Sequence, residues 1–211
     1  MDKFAKRLLK RETGIRDWLK SNKLEWLLEK VDEVIYNLPA EDIKNKFQKE
    51  IKRGLQHCVK KNEIRALDFQ WYYGRGEIGG ALAYGFDSCL TKGSLSKTDL
   101  GPRDLSGIEL KLEHGNIIDQ YFAEIPVSIA INEMIKKINP IVEQSKEIGN
   151  LLGDVEDVIT DYFQIWNYKI GAEACEQLRG THLELALKSK APFWVTMTRH
   201  ERWSIPIMLI S

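Results

Sequence analysis

The sequence predicts an α+β protein: a helical N-terminal third, then a mostly antiparallel sheet packed against long helices. Three observations carry that prediction. Apolar residues recur at helical spacing through about the first sixty positions, strand-like stretches follow from residue 64 onward, and no internal repeat divides the 211 residues. The expected organisation is one domain, 1–211, with 1–62 as its helical subregion.

Within that subregion Leu24, Leu27, Leu28, Val31, Val34 and Ile35 form one helical stripe, which Leu38-Pro39 closes. Pro39 also suits the first turn of a second helix, where Glu41 and Asp42 favour the helix dipole. Its apolar stripe is Ile43, Phe47, Ile51, Leu55 and Val59, and its other faces are charged. Strands are expected near 64–73, 78–86, 107–113, 192–199 and 204–210. In the first, Leu67, Phe69, Trp71 and Tyr73 alternate with Ala66, Asp68, Gln70 and Tyr72. Gly74-Arg75-Gly76 supplies a turn. The second strand sets Ile78, Leu82, Tyr84 and Phe86 against Gly79, Ala81, Ala83 and Gly85, a small-residue face open to close packing. Residues 91–107 have loop composition, and the third strand carries Ile108, Leu110 and Leu112. His114-Gly115-Asn116 turns the chain. Pro126 starts a helix that Pro140 kinks or ends, and Asp154 is placed as the N-cap of the next, with Val155, Val158, Ile159, Tyr162 and Trp166 on its buried stripe.

Charge and cysteine usage narrow the functional classes. Lys plus Arg and Asp plus Glu are both 31, so no global field draws polyanions or a membrane surface. Cys58, Cys89 and Cys175 are far apart and form no zinc-type spacing, which argues against a disulfide framework and a structural zinc. The N-terminal residues lack an apolar leader core, and no apolar run reaches membrane-spanning length. The expected setting is the cytoplasm, with no membrane partner.

Two groups of residues stand out. In the first, Asp99 and Asp104 precede a strand bearing Glu109-Leu110-Lys111. Period-two alternation puts Glu109 and Lys111 on one face, and an upstream Asp could complete a carboxylate pair for a divalent cation that activates water. The same acid-x-Lys string also occurs at Asp42-Ile43-Lys44 and Glu50-Ile51-Lys52, where a helix makes it background. In the second group, Arg199, His200, Glu201, Arg202 and Trp203 form a charged, aromatic turn between the last two strands, a composition suited to a protein contact. His57 and Cys58, adjacent on a helix, face different directions and make no dyad.

The Asp–Glu-x-Lys stretch resembles the PD-(D/E)xK nuclease superfamily. That resemblance implies a magnesium-dependent DNA nuclease in which Asp104 (or Asp99), Glu109 and Lys111 are catalytic and Asp104 and Glu109 hold the metal. Arg103 and Thr98, rather than proline, precede the two aspartates. The order of elements, helices followed by an aromatic hairpin, long helices and a C-terminal strand pair, is similar to that of small cytosolic α+β immunity proteins. It implies a non-enzymatic protein-binding module without a cofactor, possessing a toxin domain as partner and Arg199, His200, Arg202 and Trp203 at the contact. Between the two, the balanced charge favours binding, with the nuclease as the alternative.

Overall fold

The computed structural model describes residues 2–71, 81–91, 112–123, 126–199 and 204–211. Three helices open the chain: α1 (Asp2–Ser21), α2 (Glu25–Tyr36) and α3 (Ala40–Lys60). The predicted stripes are the buried ones. Leu24, Leu27, Leu28 and Val31 are buried on α2, and Ile43, Phe47, Ile51 and Leu55 on α3, where Cys58 rather than Val59 completes the buried seam. Strands β1 (Ala66–Trp71), β2 (Ala81–Phe86), β3 (Cys89–Thr91), β4 (Leu112–His114) and β5 (Ile117–Ala123) follow. Then come α4 (Pro126–Gln144), α5 (Leu152–Glu176), α6 (His182–Leu187), β6 (Phe193–Arg199) and β7 (Ser204–Ile210).

The main sheet has five strands in the order β5-β2-β1-β6-β7. β1–β2, β2–β5 and β6–β7 are antiparallel, whereas β1 and β6 run parallel. The sheet is therefore mixed, its centre being the one parallel pair among the described strands. Its helix-facing side carries Leu67, Phe69 and Trp71, all buried, with Phe69 edge-on to Phe47 (centroids 5.3 Å) and Trp71 edge-on to Tyr168 (6.3 Å). α5 is buried on nearly all sides because it lies between the sheet and the other helices, which is why apolar residues spread beyond a single stripe.

Three expectations change. The fifth strand of the main sheet is β5, not the 107–113 strand; the described end of that strand, β4, pairs with β3 in a separate two-stranded ribbon. Pro140 does not end its helix, which continues to Gln144. A proline lacks only one backbone donor, and packing of Met134, Ile138 and Val142 in the core holds the turns on either side of it. Asp154 lies inside the first turn of α5, behind a 3₁₀ turn at Gly149–Leu151, so its carboxylate meets the helix dipole without capping. Of the hairpin partner of β1, expected over 78–86, Ala81–Phe86 is described as strand, and 72–80 lie outside the described residues. The small-residue face of β2 is used at Gly85, where a Cβ would come within 2.7 Å of Ile64 Cδ1.

Among the described residues no helix is long and apolar enough to cross a membrane.

Candidate functional site

The side of the sheet turned away from the long helices holds a buried polar cluster. Its centre is Asp68, on β1 and fully buried. Alternation puts it there: Leu67 and Phe69 turn to the helices, so Asp68 turns to the other side, beneath the β3–β4 ribbon. The hydroxyls of Thr196 and Thr198, on the neighbouring β6, both donate to Asp68 Oδ1, at 2.5 and 2.8 Å. Because the Thr198 proton is committed to the carboxylate, Ser204 at the start of β7 donates to Thr198 Oγ1 (2.7 Å). His114, at the end of β4, closes the cluster. Its Nε2 lies 3.4 Å from Thr196 Oγ1 and its Nδ1 3.5 Å from Ser204 Oγ, with the ring stacked on Phe86 at 4.4 Å.

Both of those oxygens have already given their protons away, so each can only accept, and a neutral imidazole can donate to one of them. Burial pushes His114 below the usual histidine value, against the opposing pull of Asp68, and keeps the ring neutral at pH 7. Asp68 Oδ2 is buried and has no hydrogen-bond partner among the described residues. Cys89 adjoins the cluster; burial, then the Asp68 charge, pushes its thiol up to about 12, so it is no nucleophile at neutral pH. The cluster has the composition of a polar site but is closed, and it fastens the first residue pair of the β6–β7 hairpin to the central strand.

A second, open site lies at the β5 edge of the sheet. Arg53, His57, Asp119 and Tyr121 line a cavity of about 320 Å³ between α3 and β5. Arg53 and His57 are four apart on α3 and share a face, and Lys61 follows directly after the helix ends. His57 Nε2 and Lys61 Nζ both engage Asp119 Oδ2, the lysine at 3.1 Å, while Asp119 Oδ1 accepts from the Gln120 backbone N–H at 2.8 Å. Arg53 pairs with Glu50 at 2.9 Å and lies over the Tyr121 ring, 4.8 Å from its centroid. Gly54 makes room for that ring, since a Cβ there would sit 2.5 Å from the Tyr121 hydroxyl. Lys61, then the Gln120 N–H and His57, hold the Asp119 carboxyl down to about 2.

That depression fixes a pH dependence. The folded carboxyl stays ionised where an unfolded aspartate, near 3.9, takes up a proton. Its contribution is present above about pH 4 and is lost as pH falls toward about 2. Urea midpoints of the wild type should exceed those of Asp119→Asn at neutral pH, and the difference should shrink over that window. A difference that stays constant to about pH 2 would show that the carboxylate charge is not involved.

A third polar group joins α1, α2 and α5. Arg16 grips both oxygens of Asp32 (2.9 and 3.0 Å), Tyr162 bridges Arg16 and Asp32, and Lys169 pairs with Glu12. Every charge in it has an opposite neighbour, which suits a clamp between helices.

Of the residues singled out in the sequence, Arg199 is the last of β6, and His200, Arg202 and Trp203 lie outside the described residues, as do Asp99, Asp104, Glu109 and Lys111. Among the described residues no group of three or more His, Cys, Asp or Glu side chains is arranged to hold a metal ion. His57 and Cys58 do diverge: the thiol is buried and the imidazole faces the β5 groove. Asp68, His114 and Asp119 were not anticipated. The available signal for Asp68 was an acid inside an otherwise apolar and aromatic strand.

Comparison with protein-family profiles, curated proteins and solved structures finds no match to this chain.

Proposed function

We propose that this is a cytoplasmic, non-enzymatic protein-binding module of the immunity kind, which occludes a toxin domain. One geometric fact supports the reading. Trp71, Ala81, Ala123 and Arg199 stand side by side at one end of the sheet, and residues 72–80, 124–125 and 200–203 are connections made from that end. Loops carried on the end of a rigid scaffold are a recurrent basis for recognition surfaces. Directly beneath, the Thr198–Ser204 pair is tied to Asp68, so the chain that leaves at Arg199 and returns at Ser204 has a fixed base. A fixed base lowers the ordering cost of binding. Arg199, His200, Arg202 and Trp203 supply the residue types that dominate interface energetics.

The test is co-expression with any toxin domain encoded beside this gene, read as host survival, with calorimetry on the purified pair. Trp203→Ala and Arg202→Ala should each weaken the complex by about tenfold or more, the range of an interface anchor, without shifting the melting temperature. Glu109→Ala should leave binding unchanged. Magnesium-dependent nicking of plasmid, abolished by Glu109→Ala, would replace this reading with the nuclease in which Asp104 (or Asp99), Glu109 and Lys111 act.

A further inference from the structure

The groove between α3 and β5 is independent of that surface. Asp119 is four residues along β5 from Ala123, and so about 13 Å from the row of strand ends at 71, 81, 123 and 199. We infer that this groove is a docking site for an acidic segment of a protein, with one side-chain carboxylate entering between Arg53 and His57.

The first support is charge. In a chain whose charges balance at 31 and 31, residues 49–65 carry six Lys or Arg against two acids. Lys49, Lys52, Arg53 and Lys60 are exposed, and Lys49 and Lys60, four before and seven after Arg53, share its side of α3. Glu50 and Asp119 offset only part of it, Glu50 through its pair with Arg53 and Asp119 through its bonds to Lys61 and His57. The positive potential is therefore local, and a negative partner is steered to this face and not to the molecule at large.

The second support is shape. A cavity of about 320 Å³, lined by Arg53, His57, Asp119 and Tyr121, accepts one side chain. The two carboxylates set among the cations, Glu50 and Asp119, would face a continuous phosphate backbone with repulsion at short intervals. A peptide avoids them, because it can present its carboxylates singly. The mode of docking is also constrained. Asp119 Oδ1 covers the Gln120 N–H on this edge strand, which guards it against an added strand. The occupant therefore lies along α3 through side-chain contacts and does not extend the sheet.

The probe is the peptide Gly-Ser-Glu-Gly-Ser-Glu-Gly-Ser, whose carboxylates stand apart, titrated into the full chain by calorimetry, with the same peptide carrying lysine for glutamate and a duplex of about 12 base pairs as controls. The glutamate peptide should bind, its lysine counterpart should not, and affinity should fall severalfold between about 0.05 M and about 0.3 M salt. Arg53→Glu and Arg53→Ala, at an exposed position and checked by circular dichroism, should weaken binding by about tenfold and about threefold. Binding absent in the wild type, unchanged in Arg53→Glu, or weaker than that of the duplex overturns the inference. None of these results touches the proposed 199–203 contact, whose own test uses Trp203 and Arg202.

Discussion

Replacing Asp68 with alanine should lower stability by about 3 kcal/mol, because two buried hydroxyls lose the acceptor they share and a buried donor left unmade costs about 1–3 kcal/mol. The loss is not the sum of two full penalties. Asp68 Oδ2 is buried with no partner among the described residues, so alanine also removes a buried oxygen that those residues leave unbonded. Asp68→Asn separates these terms, since its amide oxygen can still accept from Thr196 and Thr198 while the charge is gone. It should fall within about 1 kcal/mol of the wild type. In thermal melts the alanine variant should drop by about 6–12 °C, using about 2–4 °C per kcal/mol for a chain of this size. Equal losses in the two variants would show that the negative charge, not the acceptor geometry, holds the cluster together. Because Thr198 and Ser204 form the base of the β6–β7 connection, the alanine variant should also lose affinity for a partner bound through residues 199–203 before it unfolds.

What the sequence disclosed and what it withheld divide along the same physical line. α3 and the β6–β7 pair could be read because their periodicity is local and one buried face decides it. β5 could not, because its pattern runs against burial: Ile117 is exposed, while Asp119 turns toward α3, where His57 and Lys61 receive it. An acid on the inner side of an edge strand reads as a loop residue until its partners, 62 and 58 positions away, are known. Asp68 failed for a related reason. Alternation assigned it to the face away from the aromatic residues, correctly, but that face is covered by a ribbon whose strands come from 89–91 and 112–114. Nothing near Asp68 in sequence announces the cover. The parallel pairing of β1 with β6 is equally invisible, since more than a hundred residues separate the two strands.

Both sites are thus assembled from non-local contacts, and the stability of the β5 groove depends on a residue that belongs to neither wall. Lys190 is buried, and its ammonium donates to the carbonyls of Cys58 (2.5 Å) and Lys61 (2.6 Å) at the C-terminal end of α3. A cation there adds a second, charged donor to carbonyls that already accept the Lys61 and Ile64 backbone N–H groups, and it faces the negative end of the helix dipole. Burial pushes the lysine below its usual value, an opposing cost that the two hydrogen bonds must exceed. Lys190→Met keeps most of the volume and removes both donors. Hydrogen bonds to a charged group contribute about 1.5–3 kcal/mol each, and methionine avoids burying an ammonium, so the net loss should be about 2–4 kcal/mol in urea unfolding. The second readout is local. With the end of α3 released, Lys61 and His57 lose their fixed positions, and the Asp119 carboxyl should titrate upward from about 2 toward the ordinary aspartate range when followed by NMR. A destabilised variant in which Asp119 still titrates near 2 would show that the groove keeps its shape without the cap, and that Lys190 serves the core alone.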